Sequence, residues 1–285
     1  MPLSAESRAC CFGERVRAAV ASTGPLCVGI DPSPALLDVF GVPDDADGLF
    51  AFGELCTESL AGVAAVVKPQ VAFFERHGAR GLAAFERVVA LARDAGMLVI
   101  ADAKRGDVGT TTEAYADAWF RGPLAADAVT ATPYVGIGAL FPMVTAARAT
   151  GRGLIVVVTS SNPEGAEVQG AVLGDGRTVE QSMVQAIGRW NAEEVGDTGA
   201  LGSVGAVVGA TGGTPPGGLE ALGGMVLAPG LGAQGATVSD VARRFSHCPP
   251  GSVLPAASRG LLSAGPQALR GKAARLRDDL AAVLA

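Results

Sequence analysis

Histidine is nearly absent from this chain. Among 285 residues there are two, His77 and His247, and neither stands in a metal-ligand spacing. That scarcity argues against a Ser-His-Asp hydrolase and against a metal site built on imidazoles, so no metal is expected. Cysteine is thinly used as well. The five are Cys10, Cys11, Cys27, Cys56 and Cys248, an odd number with no Cys-x-x-Cys spacing. A disulfide framework or zinc knuckle is disfavoured, and reduced thiols in a cytoplasm fit better. No apolar run approaches the ~18 residues of a membrane span, so no membrane partner is expected. Residues 1–20 have no signal-peptide apolar region and read as a short amphipathic helix. Lys/Arg blocks are missing and the net charge is −6, so nucleic acid is not expected as a partner. Charged residues make up 18% and hydrophobic residues 49%. That balance excludes a disordered chain and is enough for a substantial core.

Short apolar runs recur at wide intervals. They predict strands at 26–30, 64–68, 98–103, 128–132, 154–159, 204–208, 225–227 and 253–256. Helical patterns fill much of the space between, clearest at 73–95, 179–195 and 266–285. Alternating strand and helix implies parallel strands with crossover helices. Eight such units predict a closed (β/α)8 TIM barrel, with an open doubly wound sheet as the alternative. No linker is evident, so residues 1–285 read as one α/β barrel domain with an N-terminal helix. Residues 160–177, rich in Gly, Asn and Pro, form the longest stretch without periodicity and read as a lid. The run Gly209 to Gly218 reads as a loop at the barrel top.

The densest chemistry is Asp102-Ala103-Lys104-Arg105-Gly106-Asp107, directly after the apolar run Met97-Leu98-Val99-Ile100. Side chains alternate along a strand, so Asp102 and Lys104 point the same way. An acid and an amine then stand together at the carboxyl end of a buried strand, where α/β folds keep their active sites. Asp31 closes the first strand and Lys68 the second. On adjacent barrel strands, Lys68, Asp102, Lys104 and Asp107 would form an alternating network. At ~4 Å, with an effective dielectric near 20, each contact is worth about 4 kcal/mol before desolvation.

Two further segments offer ligand contacts. Pro229-Gly230-Leu231-Gly232-Ala233-Gln234-Gly235 contains a formal Gly-x-Gly-x-x-Gly. It follows the seventh predicted strand rather than the first, and Pro249-Pro250-Gly251 lies where a dinucleotide fold would place an acid. A phosphate cradle is the better reading, with Gln234 and Gly235 in the loop and Arg259, after the eighth strand, as the cation. Ser160-Ser161-Asn162, after the fifth strand, could serve a polar substrate edge.

Together these residues resemble the orotidine 5′-monophosphate decarboxylase family, in its longer, actinobacterial-type branch. Its Asp-x-Lys-x-x-Asp signature stands here as Asp102, Lys104 and Asp107, with Lys68 and Asp31 on the preceding strands. The resemblance runs from Asp31 to Arg259. It implies decarboxylation of orotidine 5′-monophosphate to UMP and CO₂, the last step of UMP biosynthesis, without a cofactor. It implies Lys104 as the proton donor at C6, Asp102 beside the substrate carboxylate, and Lys68 orienting Asp102. Asp31, Thr111, Ser161, Gln234, Gly235 and Arg259 would bind substrate. It also implies a homodimer in which Asp107 and Thr111 reach the partner's site. The competing reading is a Mg²⁺-dependent sugar-phosphate decarboxylase or lyase on the same barrel. Those relatives carry an acidic metal ligand at the end of the second strand, where this chain has Lys68-Pro69-Gln70. A bare phosphometabolite binder and a nicotinamide-dependent dehydrogenase are more distant alternatives.

Overall fold

A computed structural model describes residues 11–211 and 214–284. Eight parallel strands close into a barrel in sequence order. They are β1 (Cys27–Ile30), β2 (Val66–Pro69), β3 (Leu98–Arg105), β4 (Ala128–Ala131), β5 (Gly153–Thr159), β6 (Val204–Val208), β7 (Val226–Pro229) and β8 (Val253–Ala257). Closure comes from β1 pairing with β8 through Cys27↔Ala256 and Val28↔Ala257. The predicted (β/α)8 barrel is therefore the fold, and the open sheet is excluded. Among the described residues no helix is long and apolar enough to cross a membrane.

Strands buried on both faces need apolar residues on both faces, and the core accordingly splits in two. Inside the barrel, Cys27, Val66, Ile100, Ile155, Leu227 and Leu254 stack on one another. Phe12 and Val16, from the helix Phe12–Thr23, join this inner cluster from below. Phe12 exposes none of its surface. The outer cluster joins the opposite strand faces to the helices, with Phe52, Phe85 and Leu262 wholly buried in it.

The helix Val179–Val195 begins where the periodicity begins, because Thr178 and Gln181 form a capping box. The helix Pro266–Leu284 also follows its predicted span. The N-terminal helix starts at Phe12, and the part of that prediction on residues 1–10 lies outside the described residues. The single helix predicted over 73–95 is instead two, Val71–Glu75 and Gly78–Asp94. Gly78 sits at φ +61°, in the left-handed region, and the chain turns there.

The end of β3 departs from regular pairing. Ala101 pairs with Val129 and Arg105 with Ala131, so Asp102, Ala103 and Lys104 lie opposite Thr130 alone. This bulge carries the strand to Arg105, past the predicted end, and displaces the signature residues toward the barrel mouth. Gly106 follows. A Cβ there would stand 2.2 Å from the carbonyl oxygen of Thr132, so only glycine lets the chain pass β4.

Candidate active site

At the carboxyl ends of the strands lies a cavity of about 400 Å³, a size that takes a small-molecule ligand. Its floor is apolar, formed by Val157, Val207 and Leu227. Its wall from β1 to β3 is charged. Lys68 Nζ donates to Asp102 Oδ2 at 2.7 Å, and Lys104 Nζ donates to Asp102 Oδ1 at 2.6 Å. Both oxygens of one carboxylate are thus held by ammonium groups. Lys68 and Asp102 are buried, whereas the Lys104 side chain is 49% exposed and faces the opening.

Burial alone would raise the Asp102 carboxyl. The charges of Lys68 and then Lys104 outweigh it and hold the group well below the usual carboxylate range. Burial would likewise pull Lys68 down, but the Asp102 carboxylate, followed by Asp31, carries it above its ordinary value. The Lys68–Asp102 pair therefore stays charged through neutral pH.

Lys104 has φ +50°, the one non-glycine residue with positive φ among those described. A left-handed backbone at such a residue costs roughly 1–2 kcal/mol. Thr130 supports it. The Lys104 N–H donates to Thr130 Oγ1 at 2.9 Å, and Thr130 Oγ1 donates to Asp102 Oδ1 at 2.9 Å. Sequence reasoning passed over Thr130. The available signal was a hydroxyl on an otherwise apolar strand, Ala128-Val129-Thr130-Ala131.

Asp31 also lines the cavity. The Ser258 hydroxyl donates to its Oδ2, while its Oδ1 is buried without a hydrogen-bond partner in the protein. Ser258 thus braces Asp31, a contact the sequence did not reveal. Ser161, Gln234 and Arg259, which follow β5, β7 and β8, complete the lining. Gly235 does not reach this cavity and lines an adjoining recess beside Arg243 and His247. Asp107 and Thr111 lie off the cavity of their own chain. Asp107 Oδ1 accepts the Val108 N–H at 2.8 Å, and Thr111 is exposed in the first turn of the helix Gly109–Phe120. Of the expected four-membered network, one chain brings three members together.

A larger hollow, about 820 Å³, lies at the opposite end of the barrel. Its arginines, Arg17 and Arg277, are engaged by Glu14 and Asp278. It has no counterpart of the amine–carboxylate set.

Fold and site together define the class: a (β/α)8-barrel enzyme with a carboxylate held between two lysines at the mouth of the barrel. Residues 24–274 match the model of the orotidine 5′-phosphate decarboxylase / HUMPS family, and the chain belongs to that family. An orotidine 5′-phosphate decarboxylase of Salinispora tropica is 50% identical over 277 residues, covering 96% of this chain and 98% of the relative. One from Streptomyces coelicolor is 49% identical over 273 residues, covering 94% and 96%. A solved structure from Streptomyces avermitilis superposes with a TM-score of 0.88 at 46% identity, covering 100% of this chain and 97% of that one. The OMP decarboxylase of Leishmania donovani superposes at 0.77 with 29% identity, over 96% and 98%.

Proposed function

We infer that this chain is a carboxy-lyase that converts orotidine 5′-monophosphate to UMP and CO₂, the last step of pyrimidine biosynthesis. The observation that carries this reading is the grip of Lys68 and Lys104 on the two oxygens of Asp102, in a chain of this family. The same grip speaks against the sugar-phosphate alternative, because an aspartate whose oxygens both face ammonium groups is poorly placed to ligate Mg²⁺.

The chemistry follows from the charges. The bond from C6 to the carboxylate breaks, its electron pair stays on C6, and CO₂ leaves. The pyrimidine ring delocalises that pair poorly. Lys104, as an ammonium at the open side of the network, offsets the developing charge and then gives its proton to C6. Water from the mouth reprotonates the amine. Asp102 remains ionised and faces the substrate carboxylate, a repulsion that ends when CO₂ departs. Lys68 holds Asp102 in place and contacts the ribose. The open Oδ1 of Asp31 accepts a ribose hydroxyl. Ser161 serves the pyrimidine edge. Gln234 and Arg259 take the phosphate, and Gly235 belongs to the loop that folds over it. That grip is remote from C6 and supplies binding energy for closure of residues 160–177.

Asp107, half-buried, and Thr111, exposed, both lie beside their own site and are proposed to enter the site of a second copy in a homodimer. The proposed setting is the cytoplasm, and the described cysteines are thiols, as a reducing compartment keeps them.

The test is orotidine 5′-monophosphate turnover in the presence of a chelator, beside Lys104→Ala. Loss of orotate absorbance with wild type alone is the expected outcome, with Lys104→Ala still binding UMP. Chelator-sensitive turnover, or near-normal turnover by Lys104→Ala, would overturn the reading.

A further inference from the structure

We propose that Thr130 is a positioning residue for the decarboxylation: its one hydroxyl fixes the Lys104 backbone and the Asp102 carboxylate together, and so sets where the reacting ammonium stands. The proposal rests on the activity inferred above.

The starting point is the bulge. In a regular parallel ladder the N–H of Lys104, an even position like Leu98 whose N–H goes to Ala65 just before β2, would face β2. Here Asp102, Ala103 and Lys104 share a single opposite residue, Thr130. The N–H goes instead to the Thr130 side chain, at 2.9 Å. A hydroxyl has one proton and can accept as well as donate. Because Oγ1 accepts from Lys104, its own proton is free for Asp102 Oδ1, 2.9 Å away. That is the oxygen Lys104 Nζ also reaches, at 2.6 Å. The contacts close a ring: Lys104 N–H to Thr130, Thr130 to Asp102, and Asp102 back to the tip of Lys104.

Two features make the ring stiff. Thr130 is 1% exposed, so water does not readily replace the hydroxyl. It is also β-branched, which restricts χ1 on a strand. The ring holds Lys104 in its left-handed conformation, with its side chain lining the cavity.

The ring has a further part in the reaction cycle. When Lys104 gives its proton to C6, the resulting amine attracts Asp102 less. The Thr130 hydrogen bond and Lys68 then keep the carboxylate in place until the lysine is reprotonated. Loss of the hydroxyl should therefore lower kcat while leaving ground-state affinity largely intact.

The test compares wild type, Thr130→Val, which removes the hydroxyl at similar volume, and Thr130→Ser, which keeps it. Thr130→Ala replaces Thr130→Val if the valine variant does not fold. Thr130→Val is expected to lose about 10- to 100-fold in kcat, as reacting groups displaced by around an ångström do. Its KM and its affinity for UMP should stay close to wild type, and Thr130→Ser should recover most of kcat. Without substrate, the Lys104 amide should exchange faster in Thr130→Val than in wild type, and at the wild-type rate in Thr130→Ser.

A wild-type kcat in Thr130→Val overturns the proposal. So does equal loss in the valine and serine variants, which would make the role one of packing. A raised KM at constant kcat would mean direct substrate contact instead. If wild type itself does not decarboxylate orotidine 5′-monophosphate, the activity reading fails. The amide exchange then decides the positioning claim on its own, and unchanged exchange in Thr130→Val overturns it.

Discussion

Lys68 and Lys104 hold one carboxylate from different depths, and the difference divides their work. Lys68 is 9% exposed and locked; Lys104 reaches the opening. Replacing Asp102 by asparagine would leave Lys68 buried without its partner. A loss of about 3–5 kcal/mol in urea unfolding at neutral pH is expected. Its pH dependence has a definite sign. In wild type the Asp102 carboxyl is lowered on folding. Its contribution is present above the unfolded pKa near 4 and is lost as pH falls through the folded value. In Asp102→Asn the chief influence raising Lys68 is gone, and burial pulls that amine down. The unfolded state then binds more protons than the native one, so the variant should gain stability as pH rises from 7 toward 10. A deficit that is flat with pH would contradict the coupling. Arg259 lines the cavity without an ion pair among the described residues. Arg259→Ala should lower kcat/KM by about 10²-fold while unfolding stays normal; unchanged kcat/KM would remove the phosphate role. Asp102 and Lys104 were legible because an acid and an amine two positions apart at the end of an apolar run are a local pattern, although a bulge and a left-handed Lys104, not regular alternation, join them. Thr130 and Ser258 were not, because their partners are 28 and 227 positions away. Gly235 shares the loop with Gln234, but its own position faces the neighbouring recess.

At the scale of elements, apolar runs located every strand, and their ends were misjudged where side chains intervene. β3 continues past its predicted end because a bulge resets its register, and no pattern of apolar residues encodes a bulge. The helix predicted over 73–95 breaks at Gly78, where periodicity continues but the backbone turns. Residues 160–177 contain short turns, Pro163–Gly165 and Ala166–Gln169, with no buried residues in either. The segment is tied to the barrel rim where the Ser160 N–H meets Gln169 Oε1, and Gln169 Nε2 meets Ser160 Oγ. An element with so few buried contacts opens easily. Saturating UMP should slow proteolytic nicking of residues 160–177, and equal nicking with and without UMP would count against closure.

For the molecule as a whole, a chain of net charge −6 concentrates Lys68, Lys104 and Arg259 at one mouth, where an anionic ligand meets a locally positive field. The barrel itself was legible from strand spacing, since eight alternating units in one chain leave few other closures. Assembly was not. Asp107 and Thr111 lie off the cavity of their own chain, and a site for them in a second copy is proposed above. That proposal has a direct measurement. Lys104→Ala and Asp107→Ala should each be nearly inactive alone. When they are unfolded together and refolded in equal amounts, half of the C2 dimers are mixed. In each mixed dimer, the site holding Lys104 receives an intact Asp107, so about a quarter of wild-type activity should return. No recovery would place Asp107 in its own chain's chemistry.

Phe12 closes the barrel from beneath, with none of its surface exposed. Among the described residues the barrel therefore has a stopper at one end and its mouth at the other. In the reaction proposed above, carbon dioxide released beside Asp102 would meet that packed apolar plug below it. The mouth that admits the nucleotide would then also be the way out for the gas.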